Sequence, residues 1–389
     1  MPILNRAAEL HDEVTGWRRH IHAVPELGFE LDATAAFVAD RLREFGCDTV
    51  ETGVGQSGIV AVIKGAKGDG QAIGLRADMD ALPIVEASGV AHASTTRGIM
   101  HACGHDGHTA MLLGAAKYLA ETRNFAGDCV LIFQPAEEMG AGAKAMIADG
   151  ALERFGVKRV FGMHNMPGLK EGMFAIKPDG IMASSSRFEL KVNGVGGHAA
   201  RPNVTVDPIV IAAQIIEALQ VVVGRNTDPV QSVVLSITKV SAGTAFNIIP
   251  EQATMLGTLR TLDPALVPEI RDRIEQIAKG IAEAGGASIE YDFDATVSVT
   301  MTHADETLLA ADVAADVAGE AGIDRQATPV LAGEDFSQML EARPGAFIFI
   351  GNGESAGLHH PAYDFNDEII PQGISYWVRL TETALKPAG

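Results

Sequence analysis

The chain has 389 residues, with 50 Asp or Glu against 30 Lys or Arg and a formal net charge of −20. That balance argues against a broad electrostatic grip on nucleic acid or anionic lipid, which needs a basic face. Apolar residues at 47% and charged residues at 21% describe an ordinary globular chain. No uninterrupted apolar run approaches the ~20 residues of a membrane span, and three cysteines are too few for a disulfide framework.

The N-terminal MPILNRAAELHDE lacks the features of a secretory leader, so a cytoplasmic, reducing home is expected. Residues 5–22 and 32–46 carry helical spacing of apolar positions, and Pro25 breaks between them. GIVAVIK (58–64) and QAIGLRA (71–77) read as buried strands joined through a Gly-rich turn. HDGHTAMLLGAAKYLAETR (105–123) is a strong helix, DCVLIFQ (128–134) a strand, AGAKAMIADG (141–150) a helix and KRVFGMH (158–164) a strand. Strands alternating with helices imply α/β layering with a largely parallel sheet.

From about 180 to 295 the rhythm changes. Strand RFELKVNG, helix VDPIVIAAQIIEALQVVV, strands VQSVVLSITKV and QATMLGTLRTL, helix ALVPEIRDRIEQIAKGIAEA and strand SIEYDFDA give the order β-α-β-β-α-β. That is a ferredoxin-like unit. The α/β pattern resumes with a helix at 304–320, the strand AFIFI (346–350) and a helix near 370–386. The expected organisation is therefore a discontinuous α/β domain, 1–179 and 296–389, carrying a 180–295 insert.

In open α/β sheets, ligands bind at the carboxyl ends of the strands. Asp78 and Asp80 follow one predicted strand, Glu137 and Glu138 a second, His164 and Asn165 a third, and His359 and His360 lie beyond a fourth. The turn His101-Ala102-Cys103-Gly104-His105-Asp106 opens the long helix. Singly, each has a plain explanation: a buried thiol, a half-buried imidazole, two carboxylates at a helix start. Together they assemble the N, O and S donors of a transition-metal site. Glu137-Glu138 is the sharpest clue, because one carboxylate can bind metal while its neighbour acts as general base.

LRADMDALP, MHACGHDGHTAMLLGAA, LIFQPAEE, GMHNMPG, GGHAARP, FNIIP, GTLRTLD, GEDF and LHHPAYDFND occur in that order over almost the whole chain. In this the sequence resembles the dinuclear metallohydrolases of the aminoacylase and carboxypeptidase G family. Within it, the match is to the amidohydrolase branch that includes hippurate hydrolase, indole-acetyl-amino-acid hydrolases and N-acetyldiaminopimelate deacetylase. The resemblance implies a zinc-peptidase-like α/β catalytic domain with an inserted ferredoxin-like dimerisation domain. It implies two divalent transition-metal ions (Zn, Mn, Co or Ni) held by Cys103, His105, Glu138, His164 and His360, with Glu137 as base and Asp80 holding the site together. It further implies a homodimer in which His198 serves the partner's site and stabilises the oxyanion, while Asn247 and Arg260 bind substrate. Met139 and Arg201 depart from the pattern of many relatives beside site residues.

The expected activity is metal-dependent hydrolysis of N-acyl amino acids, with no nucleic-acid or membrane partner. Two other readings compete: a thiol hydrolase with Cys103 as nucleophile and His105 or His360 as base, and a binding protein whose metal is structural. The first leaves Glu137, Glu138 and His164 idle. The second does not explain a base beside the ligands.

Overall fold

The computed structural model describes residues 3–387. These divide into two compact units. The first comprises the chain up to Ile181, Thr300–Thr328 and the residues from Asp335 on, and the second Met182–Val299 with Pro329–Glu334. Pro329–Glu334 thus leaves the outer domain to which the sequence pattern assigned it.

The first unit is built on an eight-stranded sheet. Its order is Thr49–Val54, Gly58–Lys64, Asp128–Gln134, Ala72–Asp78, Val157–Pro167, Gly345–Gly353, Phe174–Ala175, Ile323–Asp324. The continuous apolar runs fill its centre: every residue of Ala72–Asp78 is buried, as are all but the terminal residue of Gly58–Lys64 and of Asp128–Gln134. Such runs suit strands covered on both faces. Ala72–Asp78 runs parallel to both neighbours, as expected. The sheet as a whole is mixed, however, because Gly58–Lys64 pairs antiparallel with Asp128–Gln134 and with Thr49–Val54. The Thr49–Val54 strand has no counterpart in the apolar pattern, since only Val54 is buried. Its hairpin closes through Gly53 and Gly55, both at positive φ. The helix expected over 5–22 divides at Leu10 into Asn5–Glu9 and His11–Ala23. The helix His105–Thr122, with 13 buried residues, packs on Ala72–Asp78 and against His11–Ala23 and Ile370–Ala384.

The second unit follows the β-α-β-β-α-β order. Its antiparallel sheet runs Val233–Ala242, Gln252–Thr261, Ser185–Asn193, Ser288–Val297. Alternating residues Phe188, Leu190 and Val192 meet Ile211, Ile215 and Leu219 of helix Pro208–Val221 and Ile270 and Ile274 of helix Leu266–Ala284 in one core. Pro208–Asn226, 19 residues with mean hydropathy 1.5, is long and apolar enough to cross a membrane by length and composition. The sequence reading found no such run because Gln214, Glu217 and Gln220 interrupt it. In the structure Ile211, Ala212, Ile215 and Leu219 are buried, the spacing of an amphipathic core helix.

Candidate metal centre and active site

The turn before His105–Thr122 brings Cys103 and His105 together. Gly104 sits at φ +88 and caps the helix, and a Cβ there would lie 2.3 Å from Asn165 Nδ2 and 2.6 Å from Tyr363 Oη. Only glycine fits both demands. Asn165 in turn donates to the Cys103 carbonyl at 2.6 Å and accepts from Tyr363 Oη at 2.7 Å.

Hydrogen bonds fix which ring nitrogen each histidine presents. His105 Nδ1 donates to the Asp80 carbonyl at 2.9 Å, and His164 Nδ1 to the Asn165 carbonyl at 2.6 Å. Both therefore turn Nε2 inward, the arrangement of metal-ligating imidazoles. His164 Nε2 lies 3.5 Å from Cys103 Sγ, while His105 Nε2 lies 3.9 Å from both Glu137 Oε2 and Glu138 Oε1. His108 belongs to the support. Its Nδ1 meets Asp78 Oδ1 at 2.7 Å and its Nε2 accepts from Asn165 N at 2.9 Å, so both nitrogens are engaged.

The electrostatics call for a cation. Burial would lower the proton affinity of His105, but Asp78, its Oδ2 3.7 Å from Nε2, and Cys103 outweigh it and hold the imidazole well above its ordinary pKa. The field that would keep a proton on Nε2 equally favours a metal ion there. Burial and the neighbouring His108 keep His164 neutral, with its lone pair available. Burial, reinforced by Glu138, pushes the Cys103 thiol well above its usual range. A buried thiol of that kind is poorly suited to act as a nucleophile, which argues against the thiol-hydrolase reading.

The two glutamates are set by Asp80. Its Oδ1 and Oδ2 accept from the backbone N–H groups of Glu137 and Glu138, each at 3.1 Å. Asp80 is buried, so this anchor fixes the turn from beneath. Glu137 Oε1 accepts weakly from Asp335 N at 3.4 Å. Arg76, also buried, ties this side to the other: it reaches Asp78 at 2.8 Å, Gln134 at 2.9 Å and Asp335 at 3.1 Å.

The last histidine differs from expectation. His359, not His360, faces the cluster, its Nε2 3.4 Å from Glu138 Oε1. His359 occupies the left-handed region at φ +61, and its N–H donates to Ala102 O at 2.8 Å, beside Cys103. His360 precedes Pro361, which biases it toward extended backbone. It is exposed, and its Nδ1 accepts locally from Ala362 N at 3.1 Å. Two adjacent histidines on one loop carry no periodicity that tells them apart, and the backbone decides.

Three overlapping groups, Cys103/His105/His164, Cys103/Glu138/His359 and His105/Glu137/Glu138, each have donor atoms mutually within 4.8 Å. His105 Nε2 and Glu138 Oε1 are buried and make no hydrogen bond. Buried polar atoms are seldom left so. This S, N and O donor set fits divalent transition metal. Met139, next in the chain, is 59% exposed and rests its Sδ over Gly28.

In the second unit, His198 and Asn247 come together. His198 pairs with Ile248 in the short ladder Gly197–His198/Ile248–Ile249, and Ala199 N donates to Asn247 O at 3.1 Å. Both side chains are exposed, as is Arg201. Arg260 is half-buried on strand Gln252–Thr261. Its Nη1 donates to Thr258 Oγ1 at 2.5 Å and to the Leu259 carbonyl at 3.1 Å, and among the described residues no carboxylate pairs with it.

The supporting residues Arg76, His108, Tyr363 and Arg18 were absent from the sequence-based set. Arg76 and His108 stand within the very motifs that mark the site, and a buried charge in an apolar strand is the signal that flags Arg76.

Residues 74–383 match the model of Peptidase family M20/M25/M40. The chain is 42% identical to hippurate hydrolase of Campylobacter jejuni over 386 residues, covering 99% of this chain and 100% of that one. It is 39% identical to N-acetylcysteine deacetylase of Bacillus subtilis, covering 97% and 98%. Among solved structures it superposes with TM-score 0.86 on Bacillus subtilis YXEP, described as a dinuclear metal binding peptidase, at 34% identity and 97% and 99% coverage. With its ordered motifs, its fold and its donor cluster all in agreement, the chain belongs to Peptidase family M20/M25/M40.

Proposed function

We infer that this protein is a metal-dependent amidohydrolase that cleaves N-acyl amino acids to a carboxylic acid and a free amino acid. The observation that carries the reading is a pair of adjacent carboxylates, Glu137 and Glu138, both set beside a buried donor cluster by the same Asp80. Relatives named for hippurate and for N-acetylcysteine support the substrate class.

Cys103, His105, Glu138, His164 and His359 would hold two divalent ions. Thiolate and imidazole donors favour Zn, Co or Ni, and Mn is compatible with the carboxylate share. When bound, such ions supply Lewis acidity that polarises the amide carbonyl and acidifies water. Glu137 takes the proton from the attacking water and returns it to the leaving amine. Its neighbour cannot do so, because Glu138 is drawn toward the cluster by His359. Burial alone would raise the Glu138 pKa, but the contact with His359 holds it below its ordinary value, so it stays anionic. Dialysis against a chelator should abolish activity and a divalent transition metal should restore it. Alkylating thiols of the metal-loaded enzyme should change little, because Cys103 is buried. Full turnover by a verified metal-free sample would overturn this function.

Arg260 is assigned to the substrate α-carboxylate. A half-buried guanidinium that has no acidic partner among the described residues is suited to a bidentate grip on a carboxylate. Arg260→Ala should raise KM about 10- to 100-fold for acids, the equivalent of roughly 1.5–3 kcal/mol for a charge-assisted bond. The matching amides should suffer much less, and equal losses on both would show that Arg260 does not read the carboxylate.

The assembly we propose is a homodimer through the second unit. Val233–Ala242 is an edge strand with Val234 and Val240 exposed, and Val210 and Val221 are exposed on helix Pro208–Val221. An uncovered edge of this kind is completed by a two-fold mate. The net charge of −20 disfavours a broad electrostatic grip on nucleic acid.

A further inference from the structure

Behind the donor cluster lies a second set of buried charges that the reaction does not use. Arg18, on His11–Ala23, is fully buried and its guanidinium is held on every side. Nε meets Asp106 Oδ2 at 2.8 Å, Nη2 meets Asp364 Oδ1 at 2.5 Å and Nη1 meets His92 Nε2 at 2.7 Å. Asp367 Oδ1 lies 3.6 Å away, and the guanidinium sits 5.7 Å from the centre of the Phe365 ring. One turn further on, His22 Nδ1 lies 2.8 Å from the same Asp106 oxygen, and its Nε2 3.3 Å from Glu86 Oε1.

These partners lie on the segments that carry the metal donors. Asp106 follows His105 directly. Asp364 and Phe365 lie five and six residues beyond His359, and Phe365 fills the space where a Cβ on Gly107 would stand at 2.3 Å. Glu86 belongs to a loop whose Ala87 N donates to Pro361 O at 2.7 Å. A guanidinium is rigid and planar, so pairing Asp106 at Nε and Asp364 at Nη2 fixes the separation of the two carboxylates. The 359–367 segment's other hydrogen-bonded links toward the turn bearing Cys103 and His105, His359 N to Ala102 O at 2.8 Å and Tyr363 Oη to Asn165 Oδ1 at 2.7 Å, are single uncharged hydrogen bonds.

We propose that Arg18 is a positioning residue of the metal centre: it holds the segment bearing His359 in register with the helix turn bearing Cys103 and His105, and affinity for one of the two ions depends on that link. The inference rests on the ligand set proposed above, in which His359 takes part.

Asp364 is one-third exposed, so Asp364→Asn weakens one arm of the clamp while Asp106 and Asp367 remain as counter-charges to buried Arg18. The test titrates metal-free full-length protein with Co(II), following visible absorption and competition against a chelator. Asp364→Asn should bind one equivalent as wild type does and the other about 10- to 100-fold more weakly, the usual loss when a group orienting a ligand is removed. Asp364→Glu, which keeps the charge, should recover most of that affinity. Arg18→Lys, which keeps the charge but loses the fork, should reproduce the selective loss, and it carries the test should Asp364→Asn fail to fold. His359→Ala, run alongside, reports the loss of the ligand itself. If His359→Ala is weakened while Asp364→Asn and Arg18→Lys bind both equivalents normally, the clamp is overturned and the ligand set stands. If His359→Ala also binds normally, the ligand set falls and the clamp with it. Equal weakening of both equivalents would mark Arg18 as general support for the fold and overturn a positioning role.

Discussion

Glu137→Gln is expected to keep the metal ions bound and to lower kcat about 10²- to 10⁴-fold, the contribution of a positioned general acid–base group. The geometry separates the two glutamates clearly enough to make the neighbouring substitution a contrast. Glu138 shares a donor group with Cys103 and His359, whereas Glu137 shares none with either of them. Its Oε1 is otherwise met by Asp335 N at 3.4 Å, a contact that a glutamine oxygen reproduces. Glu138→Gln should therefore lower metal occupancy, and with it activity, in a way that added metal partly reverses. Metal content by elemental analysis, measured beside kcat, distinguishes the two losses. An emptied centre in Glu137→Gln with a full one in Glu138→Gln would require the roles to be exchanged.

How much of this was legible in the sequence depends on what each feature leaves behind in the chain. The central strands were readable because burial on both faces writes an unbroken apolar run, as in VLIF of Asp128–Gln134. The edge strand Thr49–Val54 was not, because a half-exposed strand closed by positive-φ glycines leaves no such run. Glu138 and His164 stood out because polar donors right after apolar strands are costly unless something binds them, and Cys103 and His105 because the turn opening the long helix crowds a thiol among histidines. His359 and His360 could not be separated, since the choice rests on a left-handed backbone at His359 and on the restriction Pro361 places on its neighbour. Arg18 and Asp106 lie 88 positions apart and Arg18 and Asp364 far further. A clamp made of such long-range pairs has no local signature, and only the fold brings it together.

Mixing two inactive variants is expected to restore activity if His198 serves the site of the partner subunit. Glu137→Ala and His198→Ala homodimers should each be nearly inactive, the first lacking the base and the second the group proposed to steady the oxyanion. In a mixed dimer one site carries both defects and the other neither. Random exchange of equal amounts makes about half of the dimers mixed, so activity should return to about a quarter of wild type for a closed dimer with two independent sites. The exposure of His198 on its short ladder with Ile248 leaves its ring available to a second chain. A histidine acting within its own chain would instead leave one defect in each site of the mixed dimer, and mixing would restore nothing. Differently tagged chains establish that exchange has taken place. With exchange established, activity that stays at the level of the parents would remove His198 from the neighbouring site and leave Glu137 and the donor cluster to act within a single chain.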